Sequence, residues 1–256
     1  MEKQKKSLGK RILKWSLVTL LVLIIGLFSV PLLFKDKIVQ MVANTINNSM
    51  NATVTFKKTD LNLFRSFPLA SLRVNDIFVA NKAPFLGDTL YSAKEVNFSL
   101  KITELFKKPD EVIELKSISS KNGQVNIIFN KENIGNYDIA LKTTETANTT
   151  TNNDSFSFDI QDYELENMEF NYIDRSSDLK LQLKHINHQG KGNFKEDILD
   201  LSTKTEAILF LEIDKTNYIH DLAISLDAIL GIDLKNSKYS FKENTAYILS
   251  LIHISE

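Results

Sequence analysis

Cysteine is absent from the chain, which excludes disulfide frameworks, cysteine-ligated zinc, iron–sulfur clusters and thiol catalysis. Glycine (8) and proline (4) are sparse for 256 residues, and no proline follows Pro109, so little in the second half interrupts long elements. A surplus of charge is missing too: 31 Lys and Arg face 32 Asp and Glu. That balance speaks against a nucleic-acid binder, which usually carries a basic excess. Neither a Gly-rich phosphate loop nor a G-x-S-x-G elbow occurs. Histidine is limited to His185, His188, His220 and His253. His185 and His188 are three apart, which on a strand sends them to opposite faces, and no dedicated carboxylate or thiol set accompanies them. The expectation is therefore no metal, no cofactor, no catalytic residue and a function other than catalysis.

The near-zero total conceals an asymmetry. Up to Lys37 there are eight basic residues (Lys3, Lys5, Lys6, Lys10, Arg11, Lys14, Lys35, Lys37) against Glu2 and Asp36, a local charge of +6; a total of −1 leaves −7 for the rest. After the basic tip of residues 1–14, Trp15 to Phe34 form an uncharged run of twenty residues. As a helix this run is about 30 Å long, the thickness of a bilayer core. Trp15, Leu20, Ile24, Phe28 and Phe34 mark the anchor, with Trp15 at the cytoplasmic interface. The basic flank keeps the N-terminus in the cytoplasm and sends the bulk of the chain across the membrane. The run exceeds the usual signal-peptide core and no Ala-x-Ala-like site follows, so an uncleaved single-pass anchor is expected.

Ile38, Met41, Val42, Thr45 and Ile46 then recur with helical spacing, giving an amphipathic helix over 35–50 that lies on the membrane or packs on the next domain. From Ala52 onward the period becomes two. Val96, Phe98, Leu100 and Ile102 alternate with Asn97, Ser99 and Lys101; Val125, Ile127 and Phe129 alternate with Gln124, Asn126 and Asn130. The same alternation recurs at Phe156, Phe158 and Ile160, at Met168, Phe170 and Tyr172, and at Leu179, Leu181 and Leu183. It continues at Ala207, Leu209, Leu211 and Ile213, at Leu222, Ile224 and Leu226, and at Ile232 and Leu234. A change of phase between Leu72–Val74 and Ile77–Val79 marks a bulge or tight turn at Asn75-Asp76. Roughly ten or eleven strands, each with one apolar face, predict a mainly antiparallel β fold. Lys121-Asn122-Gly123, Arg175-Ser176-Ser177-Asp178 and Gln189-Gly190-Lys191-Gly192 are the expected turns, and Ile102 to Lys107 the one helical turn. Thr143 to Asp154 is a polar tract that cannot offset its own ordering entropy, so it forms a linker or a loop between strands of one sheet.

The order of basic tip, apolar helix, amphipathic helix and one-faced strands resembles the N-terminal part of the AsmA family of bacterial envelope proteins. Leu72-Arg73-Val74-Asn75-Asp76-Ile77, Ala93-Lys94-Glu95-Val96-Asn97-Phe98-Ser99-Leu100, Ile113-Glu114-Leu115 and Gly123-Gln124-Val125-Asn126-Ile127 carry the resemblance. Gly135-Asn136-Tyr137-Asp138-Ile139 adds to it, with Tyr137 where the family often has an indole. The resemblance covers residues 8 to 140 and extends beyond Phe156 by pattern alone. It implies likeness to chorein-type bridge-like lipid-transfer proteins, whose antiparallel strands curl into an open apolar groove, here over 52–142 and 155–248. It also implies phospholipid traffic between the inner and outer membranes, the inner membrane as the anchoring site, and outer-membrane or other envelope proteins as partners.

Few helical patterns separate the strands, so the apolar faces must meet another sheet or be covered by something other than protein. On the groove reading Val96, Phe98, Leu100, Ile102, Val125, Ile127, Phe129, Phe158, Phe170 and Leu181 face lipid. The alternative is a closed, anchored β-sandwich that scaffolds an envelope protein or glycan. The final eight residues, LSLIHISE from Leu249 to Glu256, resemble the translation of a transposon-end sequencing adapter. The expectation is that the reading frame leaves its natural DNA near Ile248, with further groove strands missing and His253 without a role.

Overall fold

The computed structural model of the chain describes residues 14–19, 21–22, 25–26, 29, 51–63, 66–107, 113–139, 156–194, 196–233, 235–236 and 238–249; for 105, 106, 113, 156–159 and 249 it describes the backbone alone. Ten strands form one sheet: β1 (Ala52–Thr55), β2 (Lys58–Asn62), β3 (Leu69–Asn81), β4 (Thr89–Lys101), β5 (Ile113–Phe129), β6 (Phe156–Asp174), β7 (Leu179–Lys191), β8 (Ile198–Ile213), β9 (Thr216–Asp233) and β10 (Lys238–Leu249). Their order is β1-β3-β4-β5-β6-β7-β8-β9-β10, with β2 also on β3. The sheet is open, and among the described residues no second sheet packs on it. Every pairing is antiparallel except β5–β6, which is parallel.

Of the anchor residues, Trp15 is helical and exposed, as are the other described residues of 14–26. No helix among the described residues is long and apolar enough to cross a membrane. Leu20, Ile24, Phe28 and Phe34, the amphipathic segment 35–50, the tract 143–154 and residues 250–256 lie outside the described residues.

Two of the expected turns are strand interior. Lys121-Asn122-Gly123 lies within the 17-residue β5, and Gln189 to Lys191 within β7. The reason at the first site is conformational: Asn122 has φ +53° and continues the strand in the left-handed region, which Asn tolerates better than most residues. Asp76 (φ +51°), Asn167 (φ +49°) and His185 (φ +51°) do the same on β3, β6 and β7. Three of the four are tied across the strands. Asn167 Nδ2 donates to Asn122 Oδ1 at 2.8 Å, and His185 Nδ1 pairs with Asn167 Oδ1 at 3.1 Å. The change of phase at Asn75-Asp76 is thus one end of a row. On β6 it brings Leu165, before Asn167, and Phe170, after it, into one apolar cluster.

The crossover between parallel β5 and β6 begins with residues 130–139 folded back on the end of β5, where Phe129 bridges Gly135. Asn136, 2% exposed, anchors them: its Nδ2 donates to Asn81 Oδ1 (3.1 Å) and the Asn126 carbonyl (2.9 Å), while its Oδ1 accepts from the Ile128 N–H (2.8 Å). From there an amide ladder crosses the strands. Asn171 Nδ2 donates to Asn126 Oδ1 at 2.8 Å and Gln182 Nε2 to Asn171 Oδ1 at 2.9 Å.

The expected helical turn is a 3₁₀ helix, Ile102–Phe106. Its Glu104 is buried, accepts the Glu114 N–H at 2.8 Å at the start of β5, and meets Lys107 Nζ at 2.6 Å. Burial alone would raise its carboxyl pKa. The Glu114 amide, the Lys107 hydrogen bond and the charges of Lys107 and Lys101 together outweigh it and hold the group below its ordinary range.

Two outcomes follow from these contacts. A Cβ on Gly123 would lie 2.1 Å from the Ser92 carbonyl oxygen and 2.7 Å from Ala93 Cα, so Gly123→Ala forces β4 and β5 apart. Chemical denaturation should show a loss of roughly 1–3 kcal/mol or more. Glu104 stabilises the fold where it is ionised in both states, and this contribution disappears as pH falls through its lowered folded-state pKa. Between about pH 5 and 3 the wild type should therefore lose more stability than Glu104→Gln.

Candidate functional site: an open apolar lane beside a closed cluster

The pairing register lines up side chains across the sheet. One row runs Tyr91, Val125, Phe170, Leu183, Leu209, Leu222 from β4 to β9. A second runs Ile127, Tyr172, Leu181, Leu211, Ile219 from β5 to β9. Every one of these eleven side chains is half-buried, because it has neighbours along and across the strands and, among the described residues, no layer above it. Together they form a continuous apolar lane. Met168, Ile186 and Ala207 are buried along its margin, with Leu165 and Ile224 packed against them.

The remaining apolar surface behaves differently. Around the β2–β5 end Leu63, Ala70, Leu100 and Leu115 are buried together, and Leu61, Leu72, Phe98, Ile102 and Ile160 pack on them. Here Leu61 and Leu63, on and just after β2, and Ile102 of the 3₁₀ helix pack with Leu100 and Leu115, contacts that the lane lacks. Each fully buried Leu in such a cluster contributes about 1.5–3 kcal/mol.

The residues expected to face lipid therefore divide. Leu100, 4% exposed, is inside the closed cluster, Phe98 and Ile102 pack against it, and Val96 is 3% exposed beside it. Val125, Ile127, Phe170 and Leu181 belong to the open lane, and half-buried Phe129 lies at its end against Tyr137 and Tyr172, ring centroids 5.7 and 5.6 Å away. Phe158 is in β6, and its side chain lies outside the described set. Leu183, Leu209, Leu211, Leu222 and Ile219 complete the lane, and period-two alternation in β7 to β9 is the signal that points to most of them. Surface depressions of about 490 and 460 Å³ lie elsewhere, the first at Ile198, Ile232 and Tyr239 and the second at Lys204, Asp227 and Glu243, and one of about 350 Å³ is lined by Leu165 and His188 together with Glu164, Gln189 and Lys204.

Between lane and cluster the apolar face carries a hydrogen-bonded belt. Tyr91 OH and Ser120 Oγ are 2.7 Å apart, and Ser120 Oγ is 3.4 Å from Met168 Sδ. Tyr163 OH is 2.8 Å from His188 Nε2, and His188 Nδ1 is 2.8 Å from Thr205 Oγ1. The Tyr163 ring lies over Gly190, where a Cβ would come within 2.2 Å of it. Burial lowers the His188 pKa, so the ring is neutral at pH 7, and burial raises the phenol pKa values of Tyr91 and Tyr163. His185 belongs to the left-handed row, and the described residues hold no group of three or more His, Asp or Glu arranged for a metal.

The division between lane and cluster makes one mutational contrast. Leu100→Asp places a charge among buried leucines and should abolish cooperative unfolding. Ile127→Asp, on the open lane, should leave a cooperative transition and the β circular-dichroism signature in place. Comparison of the chain with family models, with curated proteins and with solved structures returned no match.

Proposed function

We propose that the protein is an AsmA-like, inner-membrane-anchored periplasmic conduit for phospholipid between inner and outer membranes, acting without catalysis. The observation that carries this reading is the lane: a row of half-buried apolar side chains on an open sheet, continuous over six strands, with no protein layer above it among the described residues. Acyl chains in water carry a penalty of about 0.8 kcal/mol per CH₂, on the order of 10 kcal/mol for a chain of some sixteen carbons. A lane of this kind offsets that penalty at every strand it crosses. The polar face, with Asn126, Asn171 and Gln182 joined in a ladder, faces the aqueous periplasm. The uncharged run from Trp15 to Phe34 behind a basic tip supports the anchor and its orientation. The order of elements shared with the AsmA family supports the envelope role.

A photo-crosslinking residue placed at Leu183 or Leu209 in intact cells should capture lipid, whereas one at Leu100 should capture none. Adducts to protein alone at both lane positions would replace the conduit with an anchored scaffold that binds an envelope protein.

A further inference from the structure

The belt beside the lane consists of hydrogen-bonding groups without formal charge. The two register rows that hold it, from Val96 on β4 to Leu226 on β9 and from Phe98 on β4 to Ala228 on β9, contain no Asp, Glu, Lys or Arg. A phosphate or carboxylate would find no counter-charge there. An uncharged hydrogen-bond acceptor finds donors.

The donors follow from the bonding pattern. A neutral imidazole donates from one nitrogen and accepts at the other. With the ring proton on Nδ1, Tyr163 OH donates into Nε2, Nδ1–H donates to Thr205 Oγ1, and the hydroxyl hydrogen of half-buried Thr205 is left; with it on Nε2 both bonds reverse and the Tyr163 hydrogen is left, so either tautomer keeps one hydroxyl hydrogen to give. Thr205 pairs with His188 in register, and Leu209, two positions further on the same face of β8, stands in the lane. A molecule with its chain on the lane thus brings the atoms next to that chain alongside Thr205.

We infer that the Tyr163–His188–Thr205 belt is a subsite for the ester carbonyls of an acyl lipid, which fixes where along the strands the junction between chain and headgroup lies. The inference rests on the conduit reading and adds the part of the ligand that the polar groups recognise. A charged headgroup then points off the sheet at the belt, into the water.

The test compares probes that differ by one ester. The full chain, held in amphipol, is titrated with dodecane and with methyl laurate, each displacing a fluorescent hydrocarbon probe. The wild type should bind the ester more tightly. Thr205→Val, close in shape to threonine, should reduce methyl laurate affinity about threefold to tenfold and leave dodecane affinity unchanged, the effect of losing one hydrogen bond. Tyr163→Phe keeps the ring over Gly190 and should act in the same direction by releasing the imidazole. Equal wild-type affinity for the two probes, or equal losses for both in Thr205→Val, would overturn the subsite and leave the conduit standing. Failure of the wild type to bind either probe would sink the conduit reading and the subsite with it.

Discussion

A strand alternates its side chains strictly, so a strand whose apolar residues change parity along its length keeps them on one face only if something corrects the phase. Here the correction is a row of residues in the left-handed region: Asp76, Asn122, Asn167 and His185. The cost of placing an L-residue there is about 1–2 kcal/mol per position, and Asn and Asp bear it best because their short polar side chains bond locally. Asn122, Asn167 and His185 are also bonded to one another, so the rephasing on β5, β6 and β7 is one connected feature. On β6 Leu165, Met168 and Phe170 consequently share a cluster despite their mixed spacing. Without this row the far half of the apolar set on β3, β5, β6 and β7 would point to the opposite face. The continuous lane, and the belt immediately beside it, both depend on it.

The single layer then decides how stability is distributed. At the β2–β5 end Leu61, Leu63 and Ile102 of the 3₁₀ helix pack on the buried apolar cluster, and Glu104 ties that helix to the start of β5. Toward β9 the lane side chains are only half-buried, while Leu199, Leu201 and Ala228 stay buried further along β8 and β9. At β10 the same face is open, with Tyr239 at 75% and Phe241 at 71% exposure. Local opening should be cheapest where apolar contacts are fewest, so rigidity declines from the buried cluster at the β2–β5 end toward β10.

Period-two alternation made the class of fold and the half-buried faces legible, and Val125, Ile127, Phe170 and Leu181 could be assigned to the exposed apolar surface from it. Other features needed three dimensions. Lys121-Asn122-Gly123 has the composition of a turn, and only the pairing of β5 with β4 and β6 shows a continuous strand with one left-handed residue. Leu100 and Ile127 have the same sequence signature, yet one is buried with Leu63, Ala70 and Leu115 and the other is half-buried, because burial depends on elements distant in sequence. The parallel β5–β6 pair was equally hidden, since its crossover is a polar segment without helical period. Asn136 reads as one more loop asparagine, although its side chain holds the start of that crossover to the sheet through three hydrogen bonds.

A surface that passes an apolar chain along must hold it without trapping it. A deep pocket concentrates contact at one place and raises the barrier to leaving. A row such as Val125, Phe170, Leu183, Leu209 and Leu222 offers nearly equivalent half-buried contacts at each step of about 4.8 Å, so a chain exchanges one set for the next at little net cost. What such a lane lacks is any preference for position along the strands, because hydrophobic attraction is not directional. Hydrogen bonds are directional, and the belt of Tyr163, His188 and Thr205 lies parallel to the lane across three consecutive strands. Uniform contact in the direction of travel, with directional contact beside it, is the combination that lets a molecule slide while keeping its polar end on one side.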